Sequence, residues 1–320
     1  MISSTHSLPT NVPANSPAMA DGTISWGQLL NETATRLDRP RARWLCEVAS
    51  GHDGDEFMAM LQLPVSELAV AHLDAMLARL AEGEPLQYVL GRWGFRHLDL
   101  MVDRRVLIPR PETELVVDVA LRHARSLARP IICADLGTGS GAIGLSLAAE
   151  LPIEGVTVWM TDRSAEALDV ARANAVGIGR AASNVRLAEG DWYGALPADL
   201  MGTLAIVVSN PPYVSDDDPD LESIVREWEP AVALFGGADG LEAIRDLIAE
   251  SSQWLRPDGW LVVEIGSTHG RQVTEMLQAA GFDDVSITTD LGGHDRVASG
   301  RRGATDPAGS SEARRDLPQQ

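Results

Sequence analysis

The chain has 320 residues, 45% hydrophobic and 22% charged, a composition that supports a sizeable core and two domains. Its net charge of −20 leaves it poorly equipped to neutralise the phosphates of double-stranded DNA, so direct DNA binding is not expected. No run of about 18 apolar residues occurs, which excludes a helical membrane span.

Residues 1–22 are rich in Ser, Pro, Asn and Thr, with neither a basic region nor an apolar core. They read as a disordered extension and not as a signal peptide. Residues 23–83 read as short helices. Ser25-x-x-Gln28 and Asp53-x-x-Glu56 are capping-box patterns, each opening an apolar run. Leu68, His72, Leu73, Met76, Leu77 and Leu80 recur at helical spacing and predict one buried stripe. Residues 84–108 form a linker with a hairpin over Phe95–Leu100 and Val106–Leu107. Cys46 and Cys133 fall in a helix-like and a strand-like segment and read as buried free thiols. They lack metal-ligand spacing, so no metal is expected, and reduced thiols suit the cytoplasm.

A larger domain is expected over 109–300. It opens with Pro109-Arg110-Pro111-Glu112-Thr113-Glu114, where Arg110 and Glu112 either line a substrate entrance or begin a helix with acids at its positive end. The apolar strand Ile131–Ala134 then meets Asp135-Leu136-Gly137-Thr138-Gly139-Ser140-Gly141, and a helical run follows from Ala142 to Glu150. Strand, glycine turn and helix in that order let a ligand approach bare backbone at a helix N-terminus, as nucleotide-type cofactors require. A second strand, Val156–Met160, leads to Asp162 about 20 residues beyond the glycines, the spacing of an acid that takes two ribose hydroxyls. Gly137-x-Gly139-x-x-Ala142 also satisfies the relaxed fingerprint of NAD enzymes, whereas a Walker-type loop is excluded because no Gly-Lys-Ser/Thr follows.

The buried strand Leu204–Ser209 runs into Asn210-Pro211-Pro212-Tyr213. Taken alone, Asn-Pro-Pro is an ordinary strand-ending turn. Its two prolines also make a stiff extended loop, on which the Asn210 side-chain carbonyl and the Pro211 backbone carbonyl can accept both protons of a planar NH₂ group. The Tyr213 ring supplies a flat apolar wall. The target would be an amide or an aromatic amine. Glu229-Pro230 either borders that pocket or makes a turn. The last strands are read at Trp260–Glu264 and Val285–Thr288, with Arg296-Val297-Ala298 as a terminal edge strand and Gly292-Gly293-His294-Asp295-Arg296 as the hairpin turn before it. From Arg301 to residue 320 a disordered tail is expected.

Asp135 before the glycine loop, paired with the Asn-Pro-Pro-Tyr loop, resembles the class I S-adenosylmethionine-dependent methyltransferases that modify adenine, cytosine or glutamine nitrogens. Glu84-Pro85-Leu86-Gln87-Tyr88-Val89-Leu90-Gly91, Gly94-Phe95 and Val106-Leu107-Ile108-Pro109-Arg110-Pro111-Glu112-Thr113-Glu114 are similar to a narrower group, the release-factor glutamine methyltransferases (the PrmC/HemK family). Gly190-Asp191-Trp192, Glu229-Pro230, Gly240-Leu241, Glu264-Ile265-Gly266 and Asp290–Arg296 extend the resemblance from about Ser25 to Gly300. Trp228 departs from the Phe usual before Glu-Pro, keeping an aromatic ring.

The resemblance implies a doubly wound, Rossmann-like α/β domain with a mostly parallel seven-stranded sheet, its last strand antiparallel, behind a small helical domain that docks the substrate. It implies S-adenosyl-L-methionine as cofactor and S-adenosyl-L-homocysteine as product; a monomer is expected, although the sequence leaves oligomeric state open. Gly137, Thr138, Gly139, Ser140 and Gly141 would surround the methionine part and Trp192 would lie beside the adenine, with Asp162 on the ribose; Asn210 would border both cofactor and substrate. Asn210, Pro211, Pro212 and Tyr213 would bind and orient the glutamine of the Gly-Gly-Gln motif of class 1 peptide chain release factors for methylation at N5. Adenine-N6 methylation of a flipped base by the same loop is the alternative, and a non-catalytic cofactor-binding protein a third.

Overall fold

The computed structural model describes residues 23–219 and 221–303. Residues 1–22 and the tail beyond 303, both read as disordered, lie outside the described residues. The chain divides into two units, one of residues 23–94, 99–108 and 221–231, the other of 95–98, 109–219 and 232–303.

The first unit contains α1 (Trp26–Thr33), α2 (Arg39–Ser50), α3 (Gly54–Ala59), α4 (Glu67–Ala81) and α5 (Leu86–Leu90). The capping box at α1 forms reciprocally: Gln28 N donates to Ser25 Oγ at 3.3 Å and Ser25 N to Gln28 Oε1 at 2.8 Å. The box expected at Asp53 does not form. Asp53 stands at the N-cap of α3 without a capping bond, its carboxylate taken by the Arg92 guanidinium, the stronger charge-assisted partner. Four of the six residues of the α4 stripe pack as read, namely Leu73, Met76, Leu77 and Leu80, but its N-terminal end does not. Leu68, 81% exposed, and His72 face solvent, while Ala69, Leu73 and Met76 are buried with Trp26, Leu45 and Phe57. One residue turns a helix by about 100°, enough to move Leu68 and His72 off the packed face. Cys46 is buried in this core.

Two short strands, β1 (Arg92–Phe95) and β2 (Leu98–Met101), form a two-stranded sheet. The chain continues through α6 (Thr113–Ser126), β3 (Ile131–Leu136), α7 (Ala142–Glu150), β4 (Val156–Asp162), α8 (Ala165–Gly177), β5 (Val185–Glu189) and β6 (Leu204–Ser209). It then passes α9 (Ser223–Trp228), which belongs to the first unit, and α10 (Ala231–Leu234). The last elements are α11 (Glu242–Trp254), β7 (Leu255–Glu264), α12 (Gly270–Ala279), β8 (Phe282–Thr289) and β9 (Asp295–Arg302).

The seven-stranded sheet has the order β5-β4-β3-β6-β7-β9-β8. The pairings from β5 to β7 are parallel, and β9 is antiparallel to both its neighbours. This is the expected doubly wound α/β sheet with an antiparallel last strand. The last strand is not at the edge, however: β9 lies between β7 and β8, with Glu264 opposite Val297 on one side and Thr288 opposite Val297 on the other. It also continues through Arg302, two residues into the segment read as tail.

Every residue of β6 is buried, as continuous apolar runs in the middle of a parallel sheet require. Ala134, Leu136, Val207, Leu261 and Val263 join Ile244, Leu247 and Ile248 of α11 and Val273 and Leu277 of α12 in one core. Chain order runs outward from β3 through β4 to β5, then restarts on the other side of β3 with β6. The crevice at the carboxyl ends of β3 and β6 is therefore the topological switch point, where open α/β sheets bind ligands. Among the described residues no helix is long and apolar enough to cross a membrane.

Candidate active site

Both sequence motifs leave the sheet at this switch point. Asp135 pairs with Val208, so Leu136-Gly137 and Ser209-Asn210 emerge side by side, and Ser209 Oγ donates to the Leu136 carbonyl at 2.7 Å.

The glycine loop is organised from within by Asp135. Its carboxylate Oδ2 accepts from Thr138 Oγ1 at 2.6 Å and from Gly144 N at 2.9 Å, tying the loop to the first turn of α7. Burial pushes the Asp135 carboxyl up to about 7, against the pull of those two hydrogen bonds and with a further push from Asp162. Gly137, Gly139 and Gly141 have φ of 73°, 54° and 89°, the left-handed region that side chains avoid. The loop is drawn over β4 by Thr138 N donating to the Thr161 carbonyl at 2.8 Å, and the Ser140 carbonyl accepts from Asn174 Nδ2 at 2.8 Å. Thr138 and Ser140 are themselves buried, so the loop presents mainly glycine backbone.

Asp162, at the end of β4, already holds a backbone donor on each oxygen: Gly139 N on Oδ2 and Ser164 N on Oδ1, both at 2.9 Å. Each oxygen keeps a second acceptor site for a hydroxyl. Burial pushes this carboxyl above its ordinary value, opposed by those backbone bonds. Trp192 lies over the loop. Its Cζ3 comes within 3.3 Å of where a Cβ on Gly137 would stand, and its own φ is +41°.

On the other side of the switch point, Asn210 Nδ2 donates to Thr113 Oγ1, the first residue of α6, at 3.3 Å. The Asn210 Oδ1 and the Pro211 carbonyl are the acceptors this loop offers to an NH₂ group. Pro212 and Tyr213 are backed by a glycine-lined segment: a Cβ on Gly236 would meet the Pro212 carbonyl at 2.4 Å, and one on Gly240 the Tyr213 carbonyl at 2.3 Å. The Tyr213 ring is a wall with a polar tether, since its hydroxyl donates to Glu264 Oε1 at 3.1 Å. Burial and the neighbouring Glu264 both push the Tyr213 hydroxyl up, so it stays protonated.

Thr113 and Glu264 were not singled out as site residues in the sequence; the only signal for either was membership of a motif string. Glu112 stands at the N-cap of α6 and Glu114 in its first turn, the helical alternative for that segment. Glu229 is buried in the first unit, where its Oε2 accepts from Ile108 N at 3.1 Å. Gly292–His294 form the expected turn, with Asp290 Oδ1 accepting from Gly292 N and His294 N and Oδ2 from Arg296 Nε. His294 is exposed.

Two family models and several known proteins match the chain. The family model described as PrmC N-terminal domain matches residues 24–91, and that described as Methyltransferase small domain matches residues 120–228. A release factor glutamine methyltransferase of Xylella fastidiosa (strain 9a5c) is 40% identical, over 85% of this chain and 96% of that protein. The protein of the same name from Burkholderia pseudomallei (strain K96243) is 41% identical over 84% and 93%. Another from Caulobacter vibrioides is 40% identical over 82% and 90%.

Proposed function

Because the chain belongs to the release factor glutamine methyltransferases, we propose that it transfers a methyl group from S-adenosyl-L-methionine to the glutamine side-chain amide of the Gly-Gly-Gln motif in class 1 release factors. The observation that carries this reading is the meeting of two loops at one switch point: a bare glycine backbone between Asp135 and α7, and an Asn-Pro-Pro-Tyr loop beside it.

The residues at the glycine loop suit the cofactor. The loop lets a ligand lie against backbone, Asp162 keeps one acceptor site on each oxygen for the ribose hydroxyls, and the Trp192 ring offers a face for the adenine. When bound, S-adenosylmethionine supplies an electrophilic methyl group on its sulfonium.

The chain's own residues then have to make an amide nitrogen react. Its lone pair is delocalised into the carbonyl, so positioning and electrostatics matter more than base strength. Asn210 Oδ1 and the Pro211 carbonyl each accept one N–H of the glutamine amide. That fixes the direction of the nitrogen and stabilises the positive charge developing on it. Tyr213, with its hydroxyl tethered to Glu264, holds the glutamine stem against a fixed wall.

The test is transfer of labelled methyl to purified unmodified release factor, beside its Gly-Gly-Gln to Gly-Gly-Ala variant and adenine-containing DNA. Label on the release factor that disappears in the variant is expected. Label on DNA alone would replace this reading with base methylation. Asn210→Ala removes one preorganised acceptor and is expected to slow transfer about 10²–10³-fold.

A further inference from the structure

Side-chain hydrogen bonds tie both ends of the Asn-Pro-Pro-Tyr loop to the fold. Ser209 Oγ, just before it, donates to the Leu136 carbonyl at 2.7 Å, Tyr213 Oη donates to Glu264 Oε1 at 3.1 Å, and Asn210 Nδ2 donates to Thr113 Oγ1 at 3.3 Å. The first two hold the strand end and the ring. The last engages the amide whose other end is an acceptor for the substrate NH₂.

Thr113 closes the string Pro109-Arg110-Pro111-Glu112-Thr113. Thr113 N donates to the Arg110 carbonyl, Glu114 N to that of Pro111 and Leu115 N to that of Glu112, each at 3.1 Å, so the string winds into a tight turn that starts α6. Pro111 stiffens that turn by fixing its own φ. The helix behind it is anchored by Val116, Val117, Ala120 and Leu121, all buried, and Thr113 itself is 3% exposed. Its hydroxyl therefore stands at a fixed point beside the loop.

An asparagine amide turns easily about its last torsion, whose wells are broad. Asn210 sits on a loop and is half-buried, so the direction of Oδ1 needs a second hold. A threonine hydroxyl both gives and takes a hydrogen bond and can grip the amide by either end. With Nδ2 on Thr113, as observed, Oδ1 is directed away from it. The reversed amide would set NH₂ against the substrate NH₂, so only the observed sense is productive.

We infer that Thr113 is a positioning residue for methyl transfer: its hydroxyl, delivered by the turn at the head of α6, fixes the plane of the Asn210 amide so that Oδ1 meets the substrate N–H. The inference rests on the proposed role of Asn210 toward a glutamine. On this assignment Thr113 acts through Asn210 and not on substrate or cofactor.

The experiment is a double-mutant cycle on the full-length protein: wild type, Thr113→Val, Asn210→Ala and the double variant, with Thr113→Ser beside them. It measures kcat and KM for unmodified release factor, S-adenosylmethionine affinity by calorimetry, and melting temperature. Thr113→Val keeps the shape of the side chain and removes the hydroxyl. It is expected to lower kcat about 10-fold to 10²-fold with cofactor affinity intact. Thr113→Ser restores the hydroxyl and should return kcat close to wild type. In the Asn210→Ala background Thr113→Val should cost nothing further, because the group it positions is gone. Thr113→Ala, which cannot overpack, repeats the cycle should Thr113→Val melt below the assay temperature. Wild-type kcat in Thr113→Val beside a slow Asn210→Ala overturns the inference and leaves the function standing. So does a loss that adds in full to that of Asn210→Ala, or one that Thr113→Ser fails to recover. A fully active Asn210→Ala removes the role of Asn210, and the inference with it. Release factor left unlabelled by the wild type removes the proposed function itself.

Discussion

Ser209 Oγ donates a 2.7 Å hydrogen bond to the Leu136 carbonyl across 73 positions of sequence, joining the ends of the two strands that carry the site loops. Both groups are buried, so Ser209→Ala leaves a carbonyl short of a partner that water cannot replace. The variant is expected to lose about 1 kcal/mol in urea unfolding and to turn over more slowly, as the two loops lose their common anchor. Unchanged stability and rate would mean that the sheet ladder alone sets the spacing.

Gly144 is the closest approach in the glycine-loop region. A Cβ there would stand 2.5 Å from Met160 Cγ and 3.0 Å from Asp135 Oδ2. Gly144→Ala should cost about 1–3 kcal/mol by overpacking and weaken S-adenosylmethionine binding, because Asp135 and the loop must move together. Adding Met160→Ala should recover part of the stability. If the double variant is no better than Gly144→Ala alone, the clash lies with Asp135.

The buried carboxyls set a pH dependence whose sign follows from linkage. Asp135 is lifted by burial from the ordinary 3.8 to about 7, so between those values the folded chain keeps a proton that the unfolded chain releases. Stability therefore falls as pH rises through that window and levels off above it. Glu264, also lifted to about 7, acts in the same sense. Asp135→Asn cannot titrate, and urea unfolding at intervals between about pH 4 and about pH 8 should show a shallower slope than wild type. A slope equal to wild type would assign the dependence to Glu264.

Trp192 covers Gly137 with the edge of its ring. On the proposed reading, Trp192→Ala removes a face for the adenine and should weaken S-adenosylmethionine binding by about 1–3 kcal/mol in calorimetry, with KM for the release factor little changed. Wild-type affinity would limit the ring to shaping the loop.

The register of α4 can be read by paired truncations. Leu73 is 1% exposed and Leu68 81%. Leu73→Ala is expected to cost about 2–5 kcal/mol and Leu68→Ala to stay within about 0.5 kcal/mol of wild type in thermal unfolding. Equal costs would return Leu68 to the packed stripe.

What the sequence determined by itself was local. The strand, glycine turn and helix around Gly137–Gly141 follow from composition over about a dozen residues, and so do the Ser25–Gln28 cap and the stiffness of Asn210–Tyr213. Local signals misled where periodicity left a choice between neighbouring faces, as at Leu68, or where a competing partner lay elsewhere, as when Arg92 took the carboxylate of Asp53. The apolar run at Val297–Ala298 announced a strand, but nothing in it named β7 and β8 as its two neighbours.

Tertiary structure decided adjacency. Thr113 meets Asn210 across 97 positions and Glu264 meets Tyr213 across 51, distances over which no pattern of hydrophobic and polar residues carries information. Those partners are selected by strand order, because residues at the carboxyl ends of neighbouring strands converge whatever their separation in the chain. A carboxyl such as Glu264 is an ordinary acid in sequence. Only the fold buries it among Tyr213, Thr113 and Arg296, and it is that burial, by disfavouring the charged form, that gives it a proton to exchange near neutral pH.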